Sequence, residues 1–206
     1  MAKPVQGDWH KLVTLGRYLK GSPRCVLECR WQQKRQAPSG FSDSDWAGCK
    51  TTGKSTSGGV VMIGHHLIKS WSRTQDSVTL SSAEAELVAL GKLAMEMLGI
   101  RSMTQEWSIT EEGSASQLYA DASAALSIAK RQGAGEMRHL NVKSLWLQEK
   151  QLQSVLEYEK IRGEDNPADG LTKHVRQELA ARYANTVHMR LDDTRAKKSL
   201  QLAGSQ

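Results

Sequence analysis

Gly40-Phe41-Ser42-Asp43-Ser44-Asp45-Trp46, residues 40–46, is the stretch on which the fold turns. Its residues alternate in character, which reads as a β-strand. It carries two acids two residues apart, and these would point to the same face of an ideal strand. Downstream of it, Gly58–Ile63 is a short apolar run and Leu67–Ser72 alternates around Ile68 and Trp71. Gly64-His65-His66 between them reads as a hairpin turn, and Lys50–Ser57 as a longer loop. Three consecutive strands with short connections make an antiparallel meander.

Further on, Ser81-x-x-Glu84 is a capping-box pattern opening a helix that runs to about Trp107. Leu87, Leu90, Ala94, Leu98 and Arg101 step along one side of it, and Met95, Met97 and Met103 add apolar bulk. Gln117–Asp121 reads as a strand, Ser123–Lys130 as a short helix, Leu140–Leu152 as an amphipathic helix and Val155–Ile161 as a strand. Asn166-Pro167 is expected to open a last helix, with Pro near its first position. Strands separated by helices need crossovers and parallel pairing. The expected fold class is therefore α/β, a five-stranded mixed sheet with helices on its faces. On the N-terminal side, residues 8–20 read as a helix ended by Gly21-Ser22-Pro23, residues 24–32 as a possible strand and residues 33–40 as a linker. The domain reading is a basic N-terminal segment over 1–39, a folded domain over 40–183 and a polar, flexible tail over 184–206.

Composition narrows the function classes. The 206 residues are 39% hydrophobic and 24% charged, ordinary for a globular chain and unlike a collagen, a lone coiled coil or a disordered protein. No apolar run approaches the roughly 20 residues of a membrane span, and the N-terminus lacks a signal-peptide layout, so no membrane partner is expected and a cytoplasmic location is. Cys25, Cys29 and Cys49 make no disulfide framework and read as reduced thiols. The net charge of +6 is uneven: +6 over residues 1–40, −3 over 41–173 and +3 over 174–206. Basic flanks suit a polyanion such as nucleic acid, and an acidic middle in such a binder suits carboxylates that hold cations.

Four acids fall at comparable structural places: Asp43 in the first strand of the meander, Glu86 early in the following helix, Asp121 at the end of the fourth strand, and Asp169 at the start of the last helix. If the first and fourth strands are neighbours, Asp43 and Asp121 sit side by side. Close carboxylates repel and raise one another's pKa, and a divalent cation relieves the repulsion. Spacing alone does not single these four out among 22 acids.

The words around them do. Phe41-Ser42-Asp43-Ser44-Asp45-Trp46-Ala47-Gly48, Lys54-Ser55-Thr56-Ser57-Gly58 and Ser70-Trp71-Ser72 resemble the opening of the ribonuclease H domain in copia-type LTR retrotransposon Pol polyproteins. Leu80-Ser81-Ser82-Ala83-Glu84-Ala85-Glu86-Leu87, Leu118-Tyr119-Ala120-Asp121, Arg138-His139-Leu140 and Asn166-Pro167-Ala168-Asp169-Gly170-Leu171-Thr172-Lys173 resemble its later motifs, in order, so that the resemblance spans about residues 40–175. Trp9–Gly21 is similar to the end of the reverse-transcriptase region that precedes it.

The resemblance implies a ribonuclease H-like fold and hydrolysis of the RNA strand of RNA–DNA hybrids by two Mg²⁺ ions, with Mn²⁺ as a substitute. It implies Asp43, Glu86, Asp121 and Asp169 as catalytic metal ligands, preferring Asp43 to Asp45 and Glu86 to Glu84. It implies Ser81, Ser82, Ser123 and His139 as substrate contacts, the reverse-transcriptase domain of the same polyprotein as a partner, and a retroelement particle as the setting of an intact element. Two departures from the family stand out: Ala122-Ser123-Ala124-Ala125 where the family has Asn-Gln-Ser-Ala, and a loop, Gly163–Asn166, without the His that cellular ribonucleases H carry. No polymerase aspartate pair and no integrase zinc motif is present, so a fragment or processed product of a longer chain is expected. The competing expectation is a truncated or domesticated remnant that binds nucleic acid or protein without catalysis.

Overall fold

The structure is a computed structural model and describes residues 3–33, 37–110, 113–133 and 141–192. Among these residues the chain divides into two compact units. One holds the segments before Cys29 and after His188, and the other runs from Cys29 to His188.

In the first unit, α1 spans Gln6–Gly21. The Asp8 carboxylate accepts the Val5 N–H at 3.1 Å and so satisfies one of the donors that the first helical turn leaves open. No residue of α1 is buried. Strand β1 (Arg24–Leu27) pairs antiparallel with β7 (Met189–Asp192), and Arg24 faces its ion-pair partner Asp192 in register. Residues 189–192 thus form a strand where composition suggested a loose tail, because β1 supplies the backbone partners a polar segment lacks by itself.

In the second unit, β2 (Ser39–Asp45), β3 (Thr56–Ile63) and β4 (His66–Thr74) form the expected meander. Helix α2 (Ser82–Glu106), β5 (Ser116–Ala120), α3 (Ser123–Lys130), α4 (Asn141–Leu152) and β6 (Leu156–Lys160) follow. The five-stranded mixed sheet has the order β4-β3-β2-β5-β6, antiparallel within the meander and parallel for β2–β5 and β5–β6. The central neighbours are β2 and β5, as their acids required. Leu90, Leu93 and Met97 of α2 pack with Val61, Leu118, Leu147, Leu156 and Tyr158 in one core. Each large apolar side chain buried there contributes about 1.5–3 kcal/mol. Met97 lies in this core, whereas Met95 and Met103 are exposed on the opposite side of the helix. Trp71 and Trp146 lean on the core from its margin.

The C-terminal end departs from the sequence expectation. Asn166-Pro167 does not open a helix. It leads into a 3₁₀ turn at Asp169–Leu171, and α5 begins only at Gln177 and ends at Thr186. The cause is the Asn166 side chain. Its Nδ2 donates to the Ser42 carbonyl at 2.9 Å and its Oδ1 accepts the Ala168 N–H at 3.2 Å. Such side-chain bonds compete with helical ones, and here they pin the turn to β2.

Candidate active site

Four backbone elements carry the acids singled out in the sequence. Asp43 is in β2, almost fully buried, with Gly58 of β3 opposite it in register. Glu86 is in the second turn of α2 and is buried. Ser81 starts that helix by accepting the Glu84 N–H at 3.2 Å, while the Glu84 carboxylate reaches back to the Leu80 N–H at 2.7 Å. Glu84 is thus committed to the helix start, and Glu86, two residues on, is left to face β2. Asp121 follows the last residue of β5 and is half-buried. Carboxylate oxygens of Asp43, Glu86 and Asp121 lie within 4.8 Å of one another.

Asp45, the neighbour in β2, is spent elsewhere. Its carboxylate accepts the Thr56 N–H and occupies space that a Cβ on Gly48 would invade.

Asp169 stands beside this trio, in the 3₁₀ turn, and its oxygens are held by protein donors. Lys173 pairs with Oδ1, and the Tyr183 hydroxyl donates to Oδ2 at 3.2 Å. The Thr172 hydroxyl donates to Asp43 Oδ2. The turn comes this close because β3 has a glycine where it passes: a Cβ on Gly58 would lie 2.7 Å from the Ala168 carbonyl oxygen and 2.8 Å from Thr172 Cγ2. On the far side of the sheet, Gly59 makes room for the Trp71 ring.

The electrostatics follow from burial and crowding. Burial pushes the Glu86 carboxyl up to about 8, and the Asp43 and Asp121 charges push the same way. The Ser44 N–H, donating to Glu86 Oε1 at 3.1 Å, opposes the shift without cancelling it. Burial also raises Asp43, against the Thr172 hydroxyl and the Lys173 ammonium. Glu86 Oε2 is buried with no hydrogen-bond partner. An unpartnered buried carboxylate oxygen among other acids is a costly arrangement unless a cation completes it. All the donors here are carboxylate oxygens, which suits a hard divalent ion such as Mg²⁺. The residues present therefore fit a divalent metal site.

Around the trio, Gln75 braces the backbone. Its Nε2 donates to Ser57 Oγ and to the Ala85 carbonyl, both at 2.9 Å, and lies 3.3 Å from Ser44 Oγ. It thereby ties β3 to the residues next to Glu86 and Asp43. Gln75 belongs to none of the motifs read from the sequence. Thr172 and Lys173 lie inside one of those motifs without a role assigned by it, and Tyr183, 14 residues past Asp169, leaves no sequence signal.

The expected substrate contacts fare differently. The Ser81 hydroxyl is occupied by the Glu84 N–H. Ser82 is exposed at the start of α2. Ser123 is exposed at the start of α3, where its hydroxyl accepts from Lys160. His139 lies outside the described residues.

The same geometry has relatives. No protein-family model matches the chain. It is 28% identical over 176 residues, 85% of its length, to the retrovirus-related Pol polyprotein from transposon TNT 1-94 of Nicotiana tabacum. It is 33% identical over 109 residues to the Pol polyprotein from transposon RE2 of Arabidopsis thaliana. The chain is similar to retrovirus-related Pol polyproteins of plant transposons over most of its length. It spans 13% and 7% of those two relatives' lengths. Its fold is that of ribonuclease H. LC11-RNase H1, isolated from compost by a metagenomic approach, superposes with a TM-score of 0.51 at 16% identity, over 66% of this chain and 93% of that one. Among the described residues no helix is long and apolar enough to cross a membrane.

Proposed function

We propose that this domain hydrolyses the RNA strand of RNA–DNA hybrids during reverse transcription of its element, acting beside the reverse-transcriptase domain of the same polyprotein. The observation that carries the reading is the convergence of Asp43, Glu86 and Asp121 from β2, α2 and the end of β5, with Glu86 Oε2 buried and unpartnered. Together with Asp169 they would hold two Mg²⁺ ions, for which Mn²⁺ can substitute. Ions held by these carboxylates would supply Lewis-acid activation of a water and charge stabilisation for phosphodiester hydrolysis. The chain's own task is to hold the ligands still. Asn166 fixes the turn that carries Asp169 to β2, and Gln75 holds the Ala85 carbonyl beside Glu86 and the Ser44 hydroxyl beside Asp43. Near neutral pH Glu86 holds a proton in the metal-free site and releases it when its carboxylate is engaged. Ser82 and Ser123, exposed at the starts of α2 and α3, would contact the hybrid backbone, and a contact to the 2′-hydroxyl of the RNA strand would tell a hybrid from duplex DNA.

The test is cleavage of an end-labelled RNA–DNA hybrid with Mg²⁺, against EDTA and single-stranded RNA controls. Asp43→Asn and Asp121→Asn are each expected to abolish cleavage while leaving the fold intact. Asp45→Asn should weaken the fold by about 1 kcal/mol, through its bond to the Thr56 N–H, and keep most of the activity. More than a few per cent of parent activity in the Asp43 or Asp121 variant sinks the ligand assignment. Hybrid binding without any cleavage by the parent chain favours the binding-only remnant.

A further inference from the structure

Lys173 occupies a place that the reaction as proposed does not use. It lies four residues past Asp169 and pairs with Asp169 Oδ1. The negative charges of Asp169, Asp43 and Asp121 favour its ammonium form, and its own charge favours the ionised forms of Asp43 and Glu86. The nearby arginines are engaged away from the cluster: Arg162 pairs with Glu164, and Arg182 with Asp165. Among the described residues Lys173 is thus the cation that faces the four acids. Its side chain is 54% exposed while that of Asp169 is 8% exposed, so the ammonium enters the cluster from the solvent side on a flexible stem and has room to leave.

We propose that Lys173 is a resident counter-cation: it neutralises the Asp169 side of the cluster when no divalent ion is bound, and it vacates that side when one binds. The inference rests on reading the four carboxylates as a divalent-ion site. Its physical basis is exclusion. An ammonium paired with Asp169 takes up a carboxylate oxygen that a divalent ion needs, and the two positive charges repel strongly at ligand distances. Lys173 therefore keeps the buried acids assembled in the empty site and raises the divalent-ion concentration at which the site fills. Tyr183 and Thr172, uncharged donors to Asp169 and Asp43, position the carboxylates in either state.

The experiment is thermal unfolding of the full chain at constant ionic strength, titrated with MgCl₂ and separately with CaCl₂, for the parent, Lys173→Met and Lys173→Arg. An ion that binds only the folded state raises the Tm as its concentration passes Kd. In EDTA, Lys173→Met is expected to melt below the parent. Its Mg²⁺ midpoint should fall by about tenfold, as expected when a competing charge is removed. Lys173→Arg, which keeps the charge, should stay near the parent. A second readout needs no variant. In the parent chain, acetylation of Lys173 by a water-soluble amine-reactive ester, followed by mass spectrometry, should speed up severalfold on adding Mg²⁺. Equal Mg²⁺ midpoints for the parent and Lys173→Met, or an acetylation rate that Mg²⁺ does not raise, overturn the role of Lys173 and leave the metal site standing. No Tm response of the parent to either ion overturns both.

Discussion

Glu86 shows what the site costs the fold at a single side chain. In the unfolded chain its carboxyl ionises near 4.5, and in the folded protein burial and the neighbouring acids raise that to about 8. Between those two values the folded state holds a proton that the unfolded state has lost. Linkage then requires stability to fall as pH rises, at up to about 1.4 kcal/mol per pH unit. The loss is complete near pH 8, and below about pH 4.5 the penalty disappears. Asp43, raised for the same reason, adds to the slope with the same sign. Urea unfolding in EDTA at pH 5, 6.5 and 8 should therefore show the parent losing a few kcal/mol across that range. Glu86→Gln, which keeps the shape and removes the ionisation, should lose much less. Saturating Mg²⁺ should flatten the parent's slope, because a bound cation favours the ionised carboxylates. A parent protein equally stable at pH 5 and pH 8 in EDTA would contradict a buried, ionisable Glu86.

At the scale of elements, the site depends on how closely one turn approaches one strand. Gly58 has an ordinary strand conformation, so it is required for space and not for backbone freedom. Any Cβ there meets the Ala168 carbonyl, Leu171 and Thr172. Gly58→Val is expected to push the 3₁₀ turn off β3 and carry Asp169 away from Asp43. Hybrid cleavage should fall by at least tenfold while the circular dichroism spectrum stays that of the parent. Gly91→Ala in α2 is the control. Its Cβ would meet nothing within 4 Å, and replacing a mid-helix glycine should gain about 0.5–1 kcal/mol with cleavage unchanged. Full activity in Gly58→Val would show that the turn's approach is immaterial. The elements themselves are legible in the sequence because their signals are local: alternation in β2 and β6, the apolar run of β3, the capping box at α2, and Gly64 at the β3–β4 hairpin. The turn at Asp169 is not, because Asn166 and Pro167 look like a helix start until Asn166 finds Ser42, 124 residues away. Gln75, Tyr183 and Lys173 are illegible for the same reason, since each acts through a partner the sequence does not place beside it.

At the scale of the whole molecule, the two compact units differ in charge. Residues 1–28 carry a net +3 and residues 189–206 a net +2, which leaves +1 for residues 29–188, where the hydrophobic core and all four acids lie. The boundary falls earlier than the Pro- and Gly-containing stretch before β2 suggested. The Gln32 side chain donates to the Ile63 carbonyl at 2.8 Å and accepts the His65 N–H at 2.9 Å, so residues just past Glu28 are built onto the β3–β4 hairpin. A basic unit with an unburied helix, joined to a nearly neutral unit that holds the acids, suits a phosphate-tracking arm, and phosphate binding gives affinity without sequence or sugar discrimination. Residues 29–188 alone are therefore expected to unfold cooperatively and to prefer hybrid over duplex DNA as the full chain does. Their hybrid affinity should depend less on salt, the log–log slope flattening by roughly 0.9 for each phosphate that the arm no longer neutralises, by analogy with B-DNA. Salt titrations of hybrid binding by the full chain and by residues 29–188 check this. An unchanged slope refutes the arm's role in binding, and loss of cooperative unfolding in residues 29–188 would show that α1, β1 and β7 are needed to hold the sheet and its acids together.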